Sequence, residues 1–309
     1  MPLISLFALL GLIVGLIVQR KDFARPAFNQ TASKLLVQMI YPCLIFSSLL
    51  SRFEWNEITS LARMPILIFT ILIMGLAFGR LTLNRSRLVE TPTRRAYVFL
   101  SIMPNYSYVP LVIAQLIWGD RGVALVAMSS VAADISLWTF AYPQIAGIRN
   151  WRKMFSPALV SILTALIILR AAPDLKLGLW PEMLLALGWI GKLTLPLSMY
   201  ILGTQLALAS RTGTDKKAHA LLLLWRLLLC PFIMMVLLLY QGGALPYEAK
   251  AILLLVSSMP GAVITVVLAH IHDADGQFAA TQILIGHGLA LVTVGFWQLA
   301  YFMLYLHYF

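Results

Sequence analysis

Charge is scarce in this sequence. Of its 309 residues only 11% are Asp, Glu, Lys or Arg, while 61% are hydrophobic; soluble domains carry roughly a quarter charged residues. Mean hydropathy is +0.87. No polar stretch is long enough to fold by itself, so a soluble domain is excluded. Acidic residues are scarcer still, 12 against 23 basic ones, which leaves a net charge of +11. That excess does not describe a nucleic-acid partner, because the basic residues are scattered through short loops without interleaved aromatics. It describes a topology signal. Cysteine is nearly absent. Cys43 and Cys230 each sit beside a proline in an apolar segment and read as small buried apolar residues. The first apolar segment lacks a basic leader and is followed by "QRKDFAR", the pattern of a retained first span.

Catalytic signatures are missing too. There is no H-E-x-x-H, no Gly-x-Ser-x-Gly, no Walker A motif and no close acidic pair inside a span. This speaks against an intramembrane enzyme and an ATP-driven pump. No ring of charge or filter loop is legible, which speaks against an anion channel. Both remain the alternatives to a carrier. "HIHDAD" (270–275) matches no ligand spacing and reads as a solvated loop. No metal site and no cofactor are expected.

What is present is a series of helix-length apolar runs, not the short alternating segments of a barrel. The expectation is an all-α integral membrane protein with ten spans, near 2–18, 34–51, 63–83, 95–118, 121–145, 156–170, 181–207, 217–241, 248–271 and 277–306. Odd-numbered loops hold Arg20, Lys21, Arg25, Lys34, Arg80, Arg85, Arg87, Arg94, Arg95, Arg149, Arg152, Lys153, Arg211, Lys216 and Lys217. Even-numbered loops hold only Arg52, Arg63, Arg121, Arg170, Lys176 and Lys250. The positive-inside rule puts the odd loops, including the central one, in the cytoplasm and both termini outside. The setting is a cell (inner or plasma) membrane, crossed many times.

Two spans are interrupted alike. "LSIMPNYSYVPLVIA" (100–114) and "VSSMPGAVITVVLA" (256–269) share Ser-x-Met-Pro. Sliding one half on the other lays Ser101, Met103 and Pro104 on Ser257, Met259 and Pro260, Asn105 on Gly261, and Pro42 near Pro196. The halves are then 1–146 and 156–309, joined by a linker at 147–155. Five spans per half make the second half inverted, and inverted repeats with interrupted helices point to a secondary transporter. An internal proline costs about 3 kcal/mol or more, and freed backbone groups must be paired by protein or water. Pro42, Pro143, Pro196 and Pro231 read as simple kinks. The stretches around Pro104, Asn105, Tyr106 and Ser107, and around Pro260, Gly261 and Ala262, read as unwound segments that cross at mid-depth. The outgoing half-helices then offer backbone N–H groups and partial positive charge to an anion. Asn105 adds an amide donor suited to a carboxylate.

Four ionisable residues of the spans are singled out. Asp134 is expected to carry a coupling ion, a proton or sodium, or to be a structural acid. His287 is expected in a proton relay or bonded to a carbonyl. Lys192 snorkels from near a helix end. Arg226, set deeper, calls for an acidic partner, and Asp134 is one candidate.

At these residues the sequence resembles the auxin efflux carrier family, which includes the plant PIN proteins and bacterial malonate and malate permeases. "LSIMPNYSYVPLVIAQLIWGDRGVAL" resembles its fourth span, "LTLPLSMYILGTQLA" its seventh, "LLLLWRLLLCPF" its eighth, and "SSMPGAVITVVLAHIHDADGQFAATQIL" its ninth and the start of its tenth. The resemblance implies two inverted five-helix repeats with crossed, broken helices 4 and 9, related to bile-acid symporters and sodium–proton antiporters. It implies a scaffold of spans 1, 2, 6 and 7, a transport domain of spans 3–5 and 8–10, elevator-like movement and a homodimer through the scaffold. It implies substrate contact by Asn105 and crossover prolines at Pro104 and Pro260. The long cytoplasmic loop of many plant members is missing here, which favours a compact carrier for a small mono- or dicarboxylate over one for auxin.

Overall fold

The computed structural model describes residues 2–21, 26–84, 91–147, 155–171, 180–207 and 215–308. Most of the expected 147–155 linker lies outside them. So do Arg25, Arg85, Arg87, Arg149, Arg152, Lys153, Lys176 and Arg211 of the charge pattern.

The described chain is all-helical. In order run α1 (Pro2–Arg20), α2 (Pro26–Leu35), α3 (Tyr41–Arg52), α4 (Trp55–Leu61), α5 (Arg63–Thr82), α6 (Thr91–Ile102), α7 (Tyr108–Ser136), α8 (Tyr142–Ala146), α9 (Pro157–Ala171), α10 (Trp180–Lys192), α11 (Thr194–Ala207), α12 (Lys216–Leu223), α13 (Cys230–Tyr240), α14 (Tyr247–Ser257), α15 (Ile264–Ile271) and α16 (Gly276–Tyr308). Among the described residues six helical runs are long and apolar enough to cross a membrane: Phe28–Arg52, Trp55–Thr82, Tyr108–Ala146, Trp180–Ala207, Lys216–Tyr240 and Gly276–His307. Phe7–Arg20 and Pro157–Ala171 are shorter apolar helices. The third expected span is preceded by α4, a short turn that begins on a capping box between Glu54 and Glu57.

Three of the four kink prolines work through one device. Pro42, Pro143 and Pro231 are each the second residue of a helix that follows a widened turn: Leu36–Ile40, Leu137–Ala141 and Leu224–Leu229. The residue before each proline donates its N–H five residues back, Tyr41 to Leu36, Tyr142 to Leu137 and Cys230 to Trp225. Proline has no N–H and crowds the carbonyl one turn earlier, and a π turn absorbs both defects without unwinding the helix. At Pro196 the helix instead breaks at Leu193, between α10 and α11.

Gly119 has φ 61° and ψ −148° inside α7, a region open essentially to glycine alone. The chain reverses there. A β-carbon built on Gly122 would stand 2.6 Å from the Ala114 carbonyl oxygen, yet eight residues of straight helix span roughly 12 Å. Thus α7 is two arms of a hairpin, the second half of the expected fourth span and the start of the fifth. Arg52 reaches Asp120 at its tip (2.6 Å).

The helices pack around α7, which touches α3, α9 and α11 as well as α5 and α14. α1 lies against α11, and α3 against α9 and α10; α5 packs on α6 and α7, and α14 on α7, α13 and α16. Small residues set the closest crossings. Gly11 and Gly15 face the carbonyls of Pro196 and Tyr200, and Gly203 faces that of Leu12. Gly75 and Gly79 of α5 face Ser101 of α6. Both are small-xxx-small spacings, which bring helices together through backbone proximity where lipid offers no hydrophobic drive.

Candidate functional site

α6 stops at Ile102 and α7 starts at Tyr108; α14 stops at Ser257 and α15 starts at Ile264. The two interruptions meet. Pro104 and Gly261 face each other as an antiparallel bridge. The Asn105 N–H donates to the Pro260 carbonyl (2.8 Å), and the Ala262 N–H to the Met103 carbonyl (2.9 Å). Each break therefore pairs backbone groups that the other exposes, which is what a buried interruption requires. A β-carbon on Gly261 would stand 2.5 Å from Leu100 Cδ2, so a side chain there would have to displace the Leu100 methyl.

Adjacent residues of one π turn hold the two breaks. Trp225 Nε1 donates to the Ser101 carbonyl at the end of α6 (2.8 Å). Arg226, 1% exposed, donates from Nε and Nη2 to the Met259 carbonyl (both 3.3 Å), and its Nη1 lies 3.6 Å from Cys230 Sγ. The expected acidic partner is corrected here: Arg226 is satisfied by the carbonyl that precedes Pro260. The ion pairs found among the described residues are Arg52–Asp120 and Arg121–Glu57, so Asp134 does not pair with it. Unwinding frees the Met259 carbonyl, and a guanidinium is the strong donor that takes it up.

Beyond the crossing, the amides of Ser107, Tyr108 and Val109 precede the first bond of α7, Leu111 N–H to Ser107 carbonyl (2.8 Å). They are the unpaired donors of a helix start. Val263 and Ile264 hold the same place before α15, whose first bonds run from Thr265 to Ala262 and from Val266 to Val263.

A cavity of about 90 Å³ lies against this crossing. Pro104, Asn105, Tyr106, Ser107 and Ala262 line it, with Asp134 and with Tyr41, Tyr108, Trp138 and Ser156. Tyr106 donates its hydroxyl to Asp134 Oδ1 (2.9 Å). Asp134 is 4% exposed and its Oδ2 has no partner. Pro260 and His287 stand on the other side, where they border an apolar cavity of about 450 Å³ with Leu12, Leu202 and Leu291. Gly261 lines neither space and belongs to the crossing itself. Besides the Asn105–Pro260 backbone bond, a side-chain contact joins the two sides: Asn105 Nδ2 lies 2.9 Å from His287 Nε2. His287 Nδ1 lies 2.8 Å from the Ile283 carbonyl, which only accepts. The ring proton therefore sits on Nδ1, and Nε2 accepts from Asn105.

Other residues fall elsewhere. Lys192 keeps its ammonium over the Trp189 ring, 4.8 Å from the centroid. "HIHDAD" is exposed or half-buried along its length, as a solvated loop is, and it is also anchored. Asp275 Oδ1 caps Phe278 N–H (2.8 Å), its Oδ2 accepts from Thr93 (2.7 Å), and His272 bonds Tyr142 (2.9 Å). Sequence reasoning missed Tyr41, Tyr108 and Trp138 as lining residues. Tyr41 carried a signal, since it stands immediately before Pro42 in "MIYPCLI".

The search of curated proteins finds no match. A family model described as "membrane transport protein" matches residues 1–150 and again 143–298. Together the two matches take in nearly the whole chain, including both broken helices. The chain therefore belongs to the membrane transport protein family of the auxin efflux carriers.

Proposed function

We propose that this transporter is a secondary carrier for a small organic anion, a mono- or dicarboxylate, bound where the two broken helices cross. The observation that carries the reading is the reciprocal backbone pairing at Pro104 and Gly261 beside a small cavity. Two helix starts deliver orphan amides and partial positive charge to that region without a formal cation. Asn105 spends one amide hydrogen on His287 and keeps the second for a carboxylate. Substrate contact is assigned to Pro104, Asn105, Tyr106 and Ser107 of the first break and to Ala262 of the second, which line the cavity, while Pro260 and Gly261 complete the crossing that shapes it. Asp134 and His287 are assigned to ion coupling.

Ten spans in two inverted repeats accompany this reading. The shift that lays Pro104 on Pro260 also lays Asn105 on Gly261. It thus exchanges the facing pair Pro104/Gly261 for Pro260/Asn105, as a two-fold relation between halves would. The group of α1, α2, α3, α9, α10 and α11, spans 1, 2, 6 and 7, supplies a scaffold, and spans 3–5 and 8–10 a transport domain that moves against it as an elevator. A homodimer forms through the scaffold. Termini face away from the cytoplasm and the central linker faces it, following the basic loops.

The test is uptake and counterflow in proteoliposomes with malonate, malate, pyruvate and acetate. A carrier shows saturable exchange and no current in the absence of substrate, and Asn105→Ala loses the exchange. Current without substrate would make the protein a channel. A chemically altered substrate would make it an enzyme.

A further inference from the structure

We infer that the anion travels with one proton, and that the carboxyl group of Asp134 carries it. This rests on the crossing being the anion site. At roughly 30 Å³ per water, a cavity of about 90 Å³ has room for a carboxylate group and a few further atoms. Asp134 lines the same space as Asn105 and Ser107, so a bound anion lies within a few ångströms of a second carboxyl group. Two like charges at about 5 Å, in an effective dielectric of about 20, weaken binding by on the order of a hundredfold.

No cationic side chain among the described lining residues offsets that repulsion. From α3 the cavity receives Tyr41; from the first break Asn105, Tyr106 and Ser107; from the first arm of α7 Tyr108; from the second arm Asp134 itself; from the chain before α9 Ser156. No lysine, arginine or histidine lines it among the described residues. Arg226 is turned to the Met259 carbonyl.

A proton on Asp134 removes the conflict and supplies a contact. Oδ1 already receives the Tyr106 hydroxyl, whereas Oδ2 is unpartnered in a residue that is 4% exposed. Protonated there, Oδ2–H becomes a donor within the cavity. The step balances: one O–H bond forms at Asp134 from a solvent proton, no substrate bond breaks, and release on the other side reverses it. His287 borders the other cavity and not this one, so the proton that offsets the charge of an anion bound here is the one on Asp134. A metal cation would need several oxygens converging on one point, and the Tyr106 hydroxyl already points its hydrogen at Asp134. The carrier therefore symports anion and proton.

The experiment follows proton uptake when malonate, malate, pyruvate or acetate is added to purified protein in weak buffer, alongside binding measured by thermal shift. The expected result is one proton taken up per anion bound. Apparent affinity falls about tenfold per unit of pH once Asp134 is ionised, the slope of a single linked proton. Asp134→Asn abolishes both the uptake and the slope; Asp134→Glu, a second variant should the first not fold, keeps both. Binding that is lost in Asn105→Ala but brings no proton with it overturns the proton proposal and leaves the anion site standing. Unchanged binding in Asn105→Ala, or binding of none of the four acids, overturns both.

Discussion

Asn105 and His287, 182 residues apart, are joined by a 2.9 Å hydrogen bond that stands between the two cavities flanking the helix crossing. Asn105 borders the small polar space and His287 the large apolar one. The histidine thus fixes which face the amide turns to a ligand. Its own orientation is fixed by the Ile283 carbonyl, one turn earlier in α16.

His287→Ala frees the Asn105 amide to rotate. Losing one buried hydrogen bond of this kind weakens substrate affinity by about tenfold. His287→Gln, which offers an acceptor oxygen, restores part of it. Counterflow KM measured for both variants checks this. Equal affinity in His287→Ala and the native protein would mean that the bond positions nothing.

Trp225 and Arg226 hold the ends of α6 and α14, so their loss is felt at the crossing. Trp225→Phe leaves the Ser101 carbonyl without its indole donor and lowers stability by about 1–3 kcal/mol. Arg226→Met removes both donors from the Met259 carbonyl. The expected outcome is a lower melting temperature in detergent for each variant, with the loss of transport in Arg226→Met exceeding that in Trp225→Phe, because Met259 adjoins Pro260.

Gly119→Ala places a β-carbon on a backbone with φ 61° and ψ −148°. The strain costs about 1–3 kcal/mol and opens the α7 hairpin. Thermal unfolding should show a lower midpoint with no change in the ligand-induced shift per unit of occupancy, since Gly119 is remote from the cavity lining.

Gly15→Leu forces α1 away from α11, because the Tyr200 carbonyl already fills the space a side chain would take. Folded yield should collapse. Gly295→Ala in α16, where nothing lies within 4 Å of a built β-carbon, should be tolerated and even stabilise the helix, by about 1 kcal/mol on intrinsic propensity. Size-exclusion profiles of the two variants separate the cases.

The helix interruptions were legible because proline and the Ser-x-Met-Pro signature act locally. Composition alone was enough for the membrane class. The reversal at Gly119 was less so: "IWGDRG" reads as a loop between spans, but its tightness comes from a left-handed glycine and from Gly122 packing on Ala114. The π turns before Pro42, Pro143 and Pro231 carry no composition of their own, since proline announces a defect and not how the preceding turn absorbs it. Arg226 was misjudged for a general reason. A buried cation suggests an acid, yet the unwound α14 end provides a free carbonyl that sequence spacing does not display. Tyr41 was missed because a cavity wall is assembled from distant segments, and no local pattern marks a residue that merely faces another helix's break.

The central claim is that an anion is held by the crossing through Asn105. The most direct measurement is the thermal shift produced by malonate, malate, pyruvate and acetate in the native protein and in Asn105→Ala, at matched starting stability. At least one acid is expected to raise the midpoint of the native protein and to leave the variant unmoved. An equal rise in both would place the anion elsewhere and contradict that claim.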